Sequence, residues 1–157
     1  MHRSIVFLLC VAVSGASVAG DPVEEFRSAQ AQWRGAAIQS YTFTYEDRSE
    51  VIVAPKCGGA QIRVSVMNGV GGVPVVVHGV RHCPAGTRGR AIDLSVPLTI
   101  EDTFKAMDRY INNPPTAVRV AVTYDSRYGY PISYHVEKLE FSDNDEGFVI
   151  ANFSVQR

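Results

Sequence analysis

Read by its apolar positions, the chain switches between two periods. Val23, Phe26, Ala29 and Trp33 recur at helical intervals, which lays them along one face of a helix. Asp21 ahead of Pro22, Glu24 and Glu25 supplies a capping side chain, a residue with a preset φ, and carboxylates at the positive end of the helix dipole. This helix is expected to end near Arg34, before Gly35. The period then falls to two. Tyr41, Phe43 and Tyr45 alternate with threonines, and Ile62, Val64 and Val66 alternate with Gln61, Arg63 and Ser65, so both stretches read as strands. Asn68-Gly69 is a turn signal, and Val73 to Val80 reads as the returning strand. Pro74 gives that strand a late start or an edge position.

A second helix opens at Thr99, with Glu101 and Asp102 in its first turn and Ile100, Phe104, Met107 and Ile111 on one stripe. The run Asn112-Asn113-Pro114-Pro115 ends it. Three more strands follow, marked by Val118, Val120, Val122 and Tyr124, then Ile132, Tyr134 and Val136, then Val149, Ala151, Phe153 and Val155. Strands joined in runs by short turns favour an antiparallel sheet. The expected fold is therefore α+β: a mainly antiparallel sheet of about six strands with two helices packed on one face. A helix followed by three strands occurs twice, without matching residues between the halves.

Composition narrows the class. Of 157 residues, 46% are apolar and 20% charged, which excludes a disordered chain, and a net charge of -1 argues against a nucleic-acid coat. Residues 1–20 read as a signal peptide: His2 and Arg3, then the apolar run from Ile5 to Val13, then a small-residue tail from Ser14 to Gly20. The run is shorter than the about 20 residues that span a bilayer. Cys10 follows Phe7, Leu8 and Leu9 rather than small residues, so it reads as part of the run and not as a lipidated cysteine. Residues 21–157 are expected to form one exported α+β domain, periplasmic or secreted, with no transmembrane segment after leader removal.

Removal of the leader leaves Cys57 and Cys83. In an oxidising compartment they are expected to pair. Closing a loop of that length is worth roughly 3.5 kcal/mol in the chain-entropy model. The competing reading is a metal site built from Cys57, His78, His82 and Cys83. Adjacent ligands at positions 82 and 83 are awkward for it, and no metal is expected.

Three other features bear on chemistry. Tyr124 to Pro131 (YDSRYGYP) concentrates tyrosines around Arg127 and a glycine. Asp125, Arg127, Tyr128 and Tyr130 form the candidate binding surface; the alternative is a stiff hairpin whose tyrosines cover the sheet. The acidic turn with Asp143, Asp145 and Glu146 would need a Glu at its twelfth position to be a calcium loop, and Ser154 stands there. Arg48, Lys56, Arg63, Arg81, Arg88 and Arg90 stand against one acid, Glu50, within residues 48–90; the imbalance suits an anionic polymer or an acidic partner, and the alternative is that it complements the acidic remainder or is dispersed over the surface.

Several of these stretches together resemble one family. Trp33 with Tyr41-Thr42-Phe43, Thr99-Ile100-Glu101 with Phe104, Val120 to Pro131 (VAVTYDSRYGYP) and Asp143 to Gly147 (DNDEG) are similar to the domain of unknown function 6174 family. The resemblance runs from about Trp33 to Phe153. It implies a small exported or lipid-anchored bacterial protein and brings no activity with it. Relatives often place their cysteines closer together, just after the first strand.

The chain carries no G-x-S-x-G, H-E-x-x-H, P-loop or S-x-x-K stretch. The expected function is that of a non-enzymatic envelope module that binds a partner or supports structure, with no cofactor and no nucleic acid. The partner would be an envelope protein or an anionic polymer. The alternative is a small extracytoplasmic hydrolase whose groups meet only in three dimensions, around His78, His82 or His135.

Overall fold

The computed structural model describes residues 20–48, 61–78, 96–139 and 145–156. Residues 1–19 of the expected leader, Cys57, Cys83, His82 and Asp143 lie outside the described residues, as do Glu50, Lys56, Arg81, Arg88 and Arg90.

Helix α1, Pro22–Ala36, begins as its sequence dictates: Asp21 accepts a hydrogen bond from the Val23 N–H at 3.0 Å. It runs two residues past the expected stop. A single exposed Gly35 costs a helix only about 1 kcal/mol, and Ala37 makes the stop instead, at φ 50, with its N–H bonded to the Arg34 carbonyl. Strand β1 is Tyr41–Asp47 and β2 is Gln61–Met67. Asn68 (φ 53) and Gly69 (φ 77) turn the chain back, the two left-handed positions that a tight hairpin needs. The returning strand is split. Val70–Gly71 (β3) pairs with β2, pairing lapses over Gly72, Val73 and Pro74, and Val75–His78 (β4) rejoins β2 at the edge. Pro74 has no N–H to give a ladder, so the sheet has seven strands where six were expected.

Helix α2, Ile100–Ile111, carries a capping box between Thr99 and Asp102. Strands β5 (Val118–Tyr124), β6 (Pro131–Lys138) and β7 (Glu146–Val155) complete one antiparallel sheet in the order β3-β2-β1-β7-β6-β5, with β4 also on β2. The first run, β1 to β4, works outward from the centre, and the second, β5 to β7, works inward from the opposite edge.

Both helices cover the same face. Phe26 of α1 meets Phe104 of α2 edge-on at 5.7 Å, and Trp33 and Glu101 both reach Tyr41 of β1. The core between helices and sheet holds the predicted helix stripes except Val23, which is half-buried at its margin, with Thr103 and Tyr110 added on α2. The β7 alternation does not keep to one face. On β7 the inward residues are Phe148 and Ile150, while Val149 is half-buried and Ala151 exposed. The register against β1 shifts between Thr42 and Thr44, opposite Asn152 at φ 51. That bulge reverses the alternation, and only beyond it does Phe153 turn back to the helix side, against Trp33 and Tyr41.

Candidate functional site

The β5–β6 hairpin carries the residues that the sequence singled out. Asp125 closes it by accepting from the N–H groups of Arg127 at 3.0 Å and Tyr128 at 2.7 Å. The Asp125 N–H donates to the Tyr130 carbonyl, and the Gly129 N–H to the Asp125 carbonyl. Gly129 has φ 80, and a Cβ there would lie 2.5 Å from the Ala29 carbonyl oxygen of α1. Gln32 of α1 donates to the Ser126 carbonyl at 2.9 Å. The hairpin is therefore clamped on α1 by backbone contact as well as closed on itself.

The two candidate tyrosines are half-buried. Tyr130 stacks on Phe153 at 4.4 Å and meets Trp33 edge-on at 6.5 Å, while Tyr128 lies against Phe153 at 5.8 Å. Arg127 is exposed, with its guanidinium 4.8 Å from the centre of the Tyr128 ring. Burial, helped by the Asp125 carboxylate, holds the Tyr130 phenol above its usual range. The structure thus joins all four residues in one hairpin, and of them only Arg127 is well exposed.

Beneath this hairpin lies a network that the sequence did not reveal. Trp33 Nε1 donates to Glu101 Oε1 at 2.7 Å, the Tyr41 hydroxyl donates to Glu101 Oε2 at 3.3 Å, and the same hydroxyl accepts from the buried Ile100 N–H at 2.9 Å. Burial is the main reason the Tyr41 phenol titrates well above its ordinary value. Glu101 sits in the first turn of α2, where a carboxylate also favours the helix dipole. It borders a cleft of about 260 Å³ between the helices, lined by Trp33, Arg34, Phe104 and Lys105.

A second polar cluster lies at the other end of α2. Glu146 accepts from Arg109 at 2.8 Å, Lys138 at 2.8 Å and the Tyr110 hydroxyl at 2.8 Å. Burial alone would raise its carboxyl, but the bonds from Lys138 and Tyr110 and the Arg109 charge outweigh it, and the net shift is downward. The bond to Glu146 in turn raises the Lys138 ammonium. Asp145 accepts from the Lys138 N–H at 3.1 Å and faces His135 at 3.7 Å. The described members of the acidic turn are thus engaged with protein groups.

The remaining candidates are dispersed. His78 ends β4 and His135 sits on β6, with β2, β1 and β7 between their strands, roughly 19 Å at the usual strand spacing. Among the described residues no three of His, Cys, Asp and Glu group to hold a metal. Arg48 is paired with Glu46 at 2.8 Å, and Arg63 lies beside Thr42, Thr44 and Asn152. No described helix is long and apolar enough to cross a membrane.

These features define an α+β protein with a seven-stranded antiparallel sheet, two helices on one face and a clamped tyrosine hairpin. The chain belongs to a family of unknown function (DUF6174), whose model matches residues 25–155. No curated protein and no solved structure matches it.

Proposed function

We propose that this is an exported protein of the bacterial envelope that acts as a non-enzymatic binding or structural module, with the tip of the β5–β6 hairpin as its contact surface. The supporting observation is the fixed hairpin. Two bonds to Asp125, the Gln32 clamp and the stack on Phe153 hold it rigid, and a cation resting on an aromatic ring is presented at its tip. A surface ordered before contact loses little conformational freedom on binding. The chemistry suits an anionic envelope polymer or an acidic face of an envelope protein. The two networked glutamates, Glu101 and Glu146, are bonded to structural partners, which favours a binding role over acid–base work.

The test is crosslinked capture from the cell envelope with the parent protein and an Arg127→Glu variant. Loss of capture with unchanged Trp33 fluorescence and thermal midpoint supports the reading; equal capture refutes it. Export is part of the proposal. The intact mass of the exported protein should correspond to a chain lacking Met1 to Gly20, and thiol titration of the unfolded, unreduced protein should find Cys57 and Cys83 joined. Full-length, reduced material confined to the cytoplasm would overturn it.

A further inference from the structure

The two edges of the sheet are built differently. On the β2 side the outer strands are short, interrupted over Gly72–Pro74 and shifted in register. Such features discourage further pairing. The other edge, β5, runs for seven residues without proline. Its one charge, Arg119, is held by Glu137 at 2.9 Å.

Hydrogen-bond parity shows what this edge offers. The Leu139 N–H donates to the Ala117 carbonyl at 2.9 Å, so residues 117 and 139 form a hydrogen-bonded pair. In an antiparallel ladder such pairs alternate. Arg119, Ala121 and Thr123 therefore bond inward to β6. The N–H and C=O groups of Val118, Val120 and Val122 point outward, and among the described residues no strand pairs with them. The side chains of these valines are half-buried on the helix side.

We propose that β5 is a homotypic docking edge: a second copy of this chain adds its own β5 antiparallel, about a two-fold axis at Ala121, and the two sheets become one. In that register Val118 meets Tyr124, Arg119 meets Thr123 and Val120 meets Val122 of the other copy. Apolar side chains meet on the helix side, and the two arginines stand apart. Charge argues for the same occupant. An open groove of about 640 Å³ between α1 and β5 is lined by Asp21, Glu24 and Glu25, beside Val122 to Ser126. The two-fold lays this acidic groove along the Val118 end of the second copy. There Lys138, the cross-strand partner of Val118, shares its face; its ammonium is held by Glu146, which also takes Arg109, so two cations stand against that one carboxylate. The inference does not depend on the hairpin tip.

Outward backbone at 118, 120 and 122 makes position 121 a non-hydrogen-bonded pair with itself across the axis. Cα atoms in such a pair lie about 4.5 Å apart, within disulfide reach. Under mild oxidation Ala121→Cys should link into a covalent dimer, while Thr123→Cys, which faces Arg119 of the other copy, should not exceed the parent. Sedimentation of the parent over about 1 µM to about 1 mM should show a monomer–dimer equilibrium. Ala121→Lys should weaken it at least tenfold, by opposing two ammonium groups at an exposed position. Trp33 fluorescence verifies that each variant is folded. A parent that stays monomeric throughout, equal linkage at positions 121 and 123, or a dimer indifferent to Ala121→Lys would each overturn the proposal.

Discussion

Tyr41→Phe removes one oxygen and tests how the two layers are joined. The first four N–H groups of a helix lack intrahelical partners. In α2 the Thr99 N–H is taken by Asp102 at 3.1 Å, and the Asp102 N–H by Thr99 at 3.1 Å. The Ile100 N–H is taken by Tyr41, a strand residue far away in sequence, at 2.9 Å. Ile100 is 0% exposed and Tyr41 1%, so water does not readily replace the lost oxygen. A buried donor left unsatisfied costs about 1–3 kcal/mol. The expected loss is about 2 kcal/mol, or about 6–10 °C in melting temperature for a domain of this size. The control is Tyr134→Phe. Tyr134 is also buried, but its hydroxyl has no hydrogen-bond partner among the described residues. Removing it relieves a desolvated group, so stability should stay level or rise by up to about 1 kcal/mol. Urea unfolding followed by Trp33 fluorescence measures both. Equal losses in the two variants would refute the assignment of Tyr41 as a helix cap.

Gly129→Ala should cost more than 2 kcal/mol in urea unfolding, because the left-handed φ costs about 1–2 kcal/mol and the new Cβ meets the Ala29 carbonyl. Gly69→Ala, at φ 77 in open space, should cost only the φ penalty; equal costs would show that the hairpin is not seated on α1. The Glu146 carboxyl is lowered on folding, so its contribution is present above about pH 4.3 and is lost as pH falls through the folded value. Glu146→Gln should therefore flatten the acid limb of the stability–pH curve, and an unchanged limb would place the acid sensitivity elsewhere. Burial raises the Tyr41, Tyr45, Tyr124 and Tyr134 phenols. Their contribution is full below about pH 10 and is lost as pH rises toward the folded values. Phenolate absorbance from these four should appear only together with unfolding, and their free titration in the native protein would contradict their burial.

What the sequence conveyed follows from which interactions are local. Both helix starts were legible because Asp21, Thr99 and Asp102 act within one turn of their own positions. The β2 alternation was legible because one face of the strand is buried and the other is not. The phase of β7 was not, because the Asn152 bulge is a property of its pairing with β1 and Asn152 alone does not announce it. Val149 and Ala151 alternate with Phe153 in sequence, yet the bulge puts Phe153 on the other face from them. The split of β3 from β4 was half legible: Pro74 marked the edge but not the gap. The hairpin tip was recognisable from Asp125 and Gly129, whose turn geometry is local, whereas the seating of Gly129 on α1 was not. The extent to which Tyr128 and Tyr130 are spent on Phe153 was hidden, since that contact joins the turn to another strand, β7. The glutamate networks were invisible for the same reason. Glu101 and Glu146 look like ordinary acids at a helix start and a turn until Trp33, Tyr41, Arg109 and Lys138 arrive from other elements.

The twice-occurring order of helix and strands invites a picture of two separable halves, and the contacts argue against it. Helix α1 belongs to the first half, yet its Ala29–Trp33 turn seats Gly129 and bonds Ser126 of the second. Helix α2 belongs to the second half, yet its first N–H is capped by Tyr41 of the first. The joint between the halves is β1 against β7, a central pairing in which Tyr41 to Asp47 lie along Phe148 to Val155. Cutting between β4 and α2 would strip α2 of a cap and α1 of the hairpin it supports. It would also turn two central strands into edges with a row of free backbone groups. Each piece would keep its local signals and lose what buries them. The folding unit is therefore the interlocked pair, and the repeated order of elements does not mark two independent domains.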